Sequence, residues 1–237
     1  MKHGIIRKLV MAGFVLVGLV VIGLLVLKQV AQAPPSYYAE IIKAETSLDE
    51  KTRHEQAEVL VGDVVQVRND IANDPEWTFR LTDKSINAWL MEHPLNDLLA
   101  DLPEEVRNPR IRFETETLKL AFRWQGKPLE SVVSVTLKPE FISTNELQIT
   151  IQNVQAGLLP VSWTRFQNEI QDALNSQGLQ AQWKTAGKET VLSLKIEPVM
   201  QSRQIEVEKL TVLDGELRIT GRSQSQVSES AKNQDAK

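Results

Sequence analysis

An α+β architecture behind a membrane-spanning leader is predicted by three features: a nineteen-residue apolar run near the start, segments of helical spacing, and a long series of apolar residues alternating with polar ones. The run Leu9–Leu27 has no charged or strongly polar side chain. At about 1.5 Å per residue a helix of that length reaches ~28 Å, close to the ~30 Å of bilayer hydrocarbon, and a helix satisfies its own backbone there. Residues 1–8 then form a cytoplasmic tail and residues 9–27 a transmembrane signal anchor. Lys2, Arg7 and Lys8 precede the run and only Lys28 follows closely. That asymmetry keeps the N-terminus cytoplasmic and puts the body outside the cell membrane, which is the periplasm if the cell is Gram-negative. The competing reading is a cleaved secretory leader, because Ala31-Gln32-Ala33 resembles a signal-peptidase site. Against cleavage stand the length of the run, beyond the ~7–15 residues of a signal core, and Pro34, directly after the cut. The bilayer, reached through residues 9–27, is the first partner the sequence implies.

Residues 28–75 form a juxtamembrane stalk. Pro34-Pro35 give a stiff exit, and from about Leu48 to Ala72 the residues Ala57, Leu60, Val61, Val64 and Ile71 fall at helical spacings. This helix either packs on the domain or serves as a coiled-coil stem. Asp74-Pro75 stop it, and an extracytoplasmic domain follows over residues 76–222. Trp77, Phe79 and Leu81 alternate as a short strand, and Thr82 caps a helix from Asp83 to Glu92 with Ile86, Trp89 and Leu90 on its apolar face. Leu95, Leu98, Leu99 and Leu102 make a second helical piece between Pro94 and Pro103. From Asn108 the period is two: Ile111 and Phe113; Leu118, Leu120, Phe122 and Trp124; Val133, Val135 and Leu137; Leu147, Ile149 and Ile151. That pattern is an antiparallel meander with one wet face. A helix from about Thr164 to Gln177, ended by Gly178, precedes further strands, the last two joined by the hairpin signal Asp214-Gly215. The polar, repetitive tail 223–237 reads as disordered.

Helix followed by meander occurs twice. At an offset of 59, Trp124 aligns with Trp183, Glu130 with Glu189, Val132 with Val191, Ser134 with Ser193 and Pro139 with Pro198. If this is a duplication, the domain divides into two tandem helix-plus-four-strand halves, 83–157 and 164–222, meeting along an apolar seam. Chance is the other reading, since amphipathic strands draw on the same few residue types.

Composition excludes several functions. All 31 Asp and Glu follow residue 27, while three of the 27 Lys and Arg precede it; 24 remain, and the body carries a net charge of −7. An acidic body is a poor nucleic-acid partner. There is no cysteine, hence no thiol nucleophile, disulfide or lipoprotein attachment, and His3, His54 and His93 are too scattered for a metal centre. No nucleophile elbow, phosphate loop or dinucleotide fingerprint is present. The expectation is therefore a non-enzyme with no catalytic residues, metal or cofactor. Carboxylate pairs at Glu104 and Glu105, and at Glu114 and Glu116, read as solvated groups rather than an acid/base pair. Asn87, polar on an apolar helix, reads as a hydrogen-bond partner of nearby backbone.

The most informative local motif is Ala156-Gly157-Leu158-Leu159-Pro160-Val161-Ser162-Trp163, an apolar turn between a strand and a helix. Gly157 permits a tight path and Pro160 fixes it. Its apolar side chains either plug the core beneath the helix or form the lip of a lipid groove or a membrane-touching edge. Gly157, Leu158, Leu159, Pro160 and Trp163 are the candidate ligand-binding residues.

The segments Leu81-Thr82-Asp83-Lys84-Ser85-Ile86-Asn87-Ala88-Trp89-Leu90, Thr136-Leu137-Lys138-Pro139 and Ala156-Gly157-Leu158-Leu159-Pro160 resemble the YpmS-like family of bacterial single-pass proteins. That family is similar to LmeA-type phospholipid-binding proteins and, more remotely, to the tubular lipid-binding folds. The resemblance covers about residues 77 to 222. It implies an extracytoplasmic α+β domain that curls an antiparallel sheet around helices, with an apolar cavity and no catalytic residues. Two functions are therefore expected: binding of a lipid or other apolar ligand between sheet and helices, or a scaffold that engages envelope proteins.

Overall fold

The computed structural model describes residues 30–93, 105–126, 130–165, 167–176, 179–186, 189–196, 199–200 and 203–225. The predicted tail 1–8, the apolar run 9–27, the leucines of the 94–103 piece and residues 226–237 lie outside the described residues. Among the described residues no helix is long and apolar enough to cross a membrane. The fold is α+β, and every strand pairing among the described residues is antiparallel.

Helices dominate the first part of the described chain, beginning with a helical turn at residues 30–32. α1 (Ser36–Thr46) starts directly after Pro35 and buries Tyr38, Ile41 and Glu45, one face at spacings of three and four. The helix expected within residues 28–75 begins only at about Leu48, so α1 adds an earlier one to that segment. That later helix is α2 (Glu50–Asn73), capped by Asp49, whose carboxylate accepts the Thr52 N–H at 2.7 Å. α3 (Asp83–Glu92) has the predicted cap, with Thr82 Oγ1 accepting the Ser85 N–H at 3.2 Å. α2 packs on α3 and on the strand before it, β1 (Glu76–Thr82), with Val67 and Ile71 against Trp77. It is thus a helix laid on the domain. His54 Nδ1 lies 3.0 Å from Glu92 Oε2 where α2 crosses α3.

The remaining strands make two sheets. β2 (Val106–Glu114), β3 (Thr117–Trp124), β4 (Ser131–Ser143) and β5 (Glu146–Ala156) form the predicted meander. β6 (Leu159–Pro160) folds back on β5, and β7 (Gln180–Ala186) and β8 (Glu189–Lys195) join through β8, giving the order β2-β3-β4-β5-β8-β7. β9 (Val199–Met200), β10 (Arg203–Leu213) and β11 (Glu216–Ser225) complete the smaller sheet, ordered β1-β11-β10-β9. The hairpin read from Asp214-Gly215 forms between β10 and β11, with Leu213 opposite Glu216.

Alternation sorts the larger sheet into an inner apolar and an outer polar face. Phe113, Val135, Ile151 and Val154 point inward, and the smaller sheet covers the β2 end of that face with Val212 and Leu217 around Phe113. Phe113 is 1 % exposed, and burying such a side chain contributes ~1.5–3 kcal/mol. In the smaller sheet Trp77 is paired with Gly221, where an added Cβ would collide with the indole, so the glycine makes room for the ring.

The open edges of β2 and β10 are closed by side chains that imitate a strand. Asn87 on α3 donates Nδ2–H to the Ile111 carbonyl at 2.7 Å and accepts the Ile111 N–H at 2.8 Å, the backbone role expected of it. At the tip of the β4–β5 hairpin Asn145 does the same to β10, donating to the Ile205 carbonyl at 3.0 Å and accepting the Val207 N–H at 2.7 Å. Its own N–H reaches the Val207 carbonyl at 3.0 Å, and at the β2–β3 tip the Glu116 N–H reaches the Val212 carbonyl at 3.0 Å. Asn145 holds φ at 59°, the left-handed region Asn tolerates.

Three expectations need correction. The halves 83–157 and 164–222 do not each form a sheet: β7 and β8 extend the sheet of the first, and β10 and β11 pair with β1, which precedes both. Edge hydrogen bonding, which repeats in sequence do not encode, chose those partners. The tail does not begin at residue 223, because β11 continues to Ser225, with Ser223 buried and its hydroxyl donating to the Asp74 carbonyl at 2.6 Å. The helix expected over 164–177 is split into a 3-10 turn (Trp163–Arg165) and α4 (Gln167–Ser176).

Asn145→Gly keeps the backbone conformation but strands the β10 groups, so it should lower unfolding free energy by ~1–3 kcal/mol. Asn145→Ala should cost about 1–2 kcal/mol more, from the left-handed backbone; chemical denaturation of both variants checks the order. A pH dependence follows from His54, which the neighbouring Glu92 carboxylate holds above its ordinary value of 6.5. Its stabilising contribution is complete below that value and is lost as pH rises through the folded-state value. The gap in melting temperature between wild type and His54→Asn should therefore shrink between mildly acidic and mildly alkaline buffer.

Candidate functional site

The end of β5 is where the chain emerging from the apolar run is held. Gly157 and Leu158 form a two-residue turn, Ala156 facing Leu159 across it, with Gly157 at φ 60°. The Gly157 N–H donates to the Val132 carbonyl at 2.8 Å, and the Leu158 N–H donates to the Val30 carbonyl at 3.1 Å. The Ser131 hydroxyl donates to the Ala31 carbonyl at 2.5 Å. A Cβ on Gly157 would run into the backbone of Val30 and Ala31, so this position needs glycine both for its conformation and for its clearance.

From there the chain crosses the outer face of the larger sheet as a strap. Tyr38 packs on Ala121 and Val132, with Tyr37 and Ile42 beside it. The Tyr37 hydroxyl donates to the Leu120 carbonyl at 3.2 Å and the Tyr38 hydroxyl to the Asn108 carbonyl at 3.0 Å. Burial raises both phenols above their usual value, so they stay neutral donors. At its far end Arg110 Nε, buried, donates to Glu45 Oε2 at 2.8 Å. Burial pushes the Glu45 carboxyl up against the pull of that guanidinium. Asp83, buried at the start of α3, is also raised by burial, and its carboxylate accepts the Phe113 N–H at 3.4 Å.

The side chains of the apolar turn face two ways. Val161 and Trp163 plug the core: they pack on Val135, Ile151 and Val154, and Trp163 lies 5.8 Å from Trp183, ring centre to ring centre. Leu159 is half-buried in β6, whereas Pro160 is exposed and Leu158 is 54 % exposed at the tip. Leu120 and Phe122 on β3, with Leu147 and Ile149 on β5, share the inner face and are only half-buried. The strap itself was missed by sequence reasoning, although Tyr38, Ile41, Ile42 and Glu45 carry the helical spacing that would have found it.

Of the carboxylate pairs weighed for chemistry, Glu104 lies outside the described residues, and the second pair faces lysines. Glu114 accepts from Lys119 Nζ at 2.7 Å and Glu116 from Lys138 Nζ at 3.4 Å, both cation–carboxylate pairs. Among the described residues no group of three or more His, Cys, Asp or Glu could hold a metal ion. No protein-family model, curated protein or solved structure matches this chain.

Two glycine substitutions separate strain from docking. Gly215→Ala, also at positive φ but with nothing nearer its new Cβ than Asp83 Oδ1 at 3.9 Å, should cost only the ~1–2 kcal/mol of left-handed backbone. Gly157→Ala should cost more, because Val30 and Ala31 must also move, and should open residues 30–46 to proteolysis before the rest of the domain.

Proposed function

We propose that this chain is a single-pass, membrane-anchored extracytoplasmic protein that holds a lipid acyl chain or a similar apolar ligand between its larger sheet and its helices, without bond-making chemistry. The observation that carries the reading is the attachment of Val30 and Ala31 to Ser131 and the Gly157–Leu158 turn. It holds Val30, which follows by three residues in sequence an apolar run long enough to span a bilayer, against one end of the larger sheet. The half-buried Leu120, Phe122, Leu147 and Ile149 supply apolar surface on the sheet's inner face, the kind of lining on which ligand sites rely. The resemblance to the YpmS-like family points the same way.

A scaffold function is the second reading. It draws on α2, where Val61, Val64 and Val65 are exposed at neighbouring helical positions, a stripe suited to a partner helix.

The test uses the full-length protein in vesicles containing a phospholipid with a photoactivatable acyl terminus. Cross-links should map to β3 and β5 as well as to residues 9–27. Phe122→Glu should reduce those on β3 and β5 about tenfold, the equivalent of ~1.4 kcal/mol. Cross-links confined to residues 9–27 exclude the ligand site, and a stoichiometric protein partner lost on Val61→Glu favours the scaffold.

A further inference from the structure

We infer that the Gly157–Leu158 turn is a bilayer-contacting edge, with the Leu158 side chain seated in the interface of the same leaflet that the apolar run leaves. The inference rests on the membrane-anchored reading and specifies how the domain meets its membrane.

Reach supplies the first argument. Only Lys28, Gln29 and Val30 separate Leu27 from the carbonyl that Leu158 holds at 3.1 Å. Three residues advance about 4.5 Å as helix and at most ~11 Å fully extended. The headgroup layer on each side of the hydrocarbon is itself roughly 5–8 Å thick. With the 3.1 Å bond added, Leu158 is tied to within about one headgroup layer's depth of the hydrocarbon if those residues are helical, and about two if they are extended.

Chemistry at the tip supplies the second. Four two-residue hairpin turns occur among the described residues: Thr115-Glu116, Thr144-Asn145, Gly157-Leu158 and Asp214-Gly215. Three carry the polar or small residues that turns in water favour. The fourth presents a leucine at 54 % exposure, and it is the one bonded to the chain leaving the apolar run. A leucine facing water gains nothing for the fold; one seated among lipid recovers the transfer free energy of its side chain. Val161 and Trp163 are turned into the core behind it, so the tip is backed by packed residues.

Ile142 provides an internal control. It is 50 % exposed, close to Leu158, but lies eleven residues along β4 from Ser131, or ~36 Å of strand. The chain has no cysteine, so Leu158→Cys and Ile142→Cys each offer one thiol for an environment-sensitive fluorophore; Pro160→Cys, also exposed, samples the same edge if the tip variant folds poorly. Full-length labelled protein is placed in phosphatidylcholine–phosphatidylglycerol vesicles doped with lipid spin-labelled at the headgroup or at a shallow acyl position. The fluorophore at 158 should be blue-shifted and quenched several-fold more strongly than that at 142, with 160 intermediate. Equal quenching at 158 and 142, or none at 158 and 160, overturns the inference. Alkaline carbonate extraction separates the two proposals: protein that stays with the vesicles but shows no quenching at 158 sinks this inference alone, and protein released from them sinks the anchor as well.

Discussion

Backbone groups at the edges of a sheet must find partners, and this fold is governed by how it meets that demand without joining its two sheets through a shared strand. β2 and β10 each have one edge that no strand continues along its length. A buried unpaired N–H or C=O would cost on the order of 1–3 kcal/mol. Asn87 closes the first edge from a helix, and Asn145 closes the second from a hairpin tip. A carboxamide is the one neutral side chain that carries a donor and an acceptor side by side, as a peptide group does. Each asparagine also sets a register: Asn87 fixes α3 against Ile111, and Asn145 fixes the long β4–β5 hairpin against β10. The apolar contacts around Phe113, Val212 and Leu217 then fall into place between them.

The strap obeys a different logic. α1 crosses a polar face, so it cannot rely on apolar burial alone and uses hydroxyls and two ion pairs, the buried Arg110–Glu45 and the more exposed Arg112–Glu40. Buried ion pairs contribute little net stability, because desolvation offsets their attraction, but they penalise any arrangement that separates the partners. Arg110 and Glu45 thus specify where the strap ends, while Tyr37 and Tyr38 specify its height on the sheet. Between them the path from Val30 to Thr46 is fixed at both ends.

Local pattern revealed most of the elements and little of their partnership. The meander from Ile111 to Ile151, the Thr82 cap, the Asp214-Gly215 hairpin and the role of Asn87 were all legible, because each depends on neighbours in sequence. Where β7 and β8 attach was not legible: their alternation fixes which face is apolar and leaves open which edge they extend. The resemblance between 124–139 and 183–198 was misleading for the same reason, since two amphipathic hairpins share residue types whatever they pair with. At the candidate site, Gly157 was recognised as a turn glycine, but its clearance for Val30 and Ala31 involves residues far away in the chain. The split between Val161 and Trp163 inward and Leu158 outward likewise depends on what lies behind the turn.

The bond between Val30 and Leu158 also sets an order of events. Val30 is synthesised early, yet the N–H it awaits belongs to a residue 128 positions later, and Ser131 is 100 positions from Ala31. Contacts of such separation close late, after the local hairpins that build them. Val30 therefore settles after segments that follow it in the chain. Until β5 has formed, Val30 lacks its partner, while residues 37–45 already find theirs on β2 and β3, so a chaperone or protease would meet the part of the strap nearest Val30 in that interval.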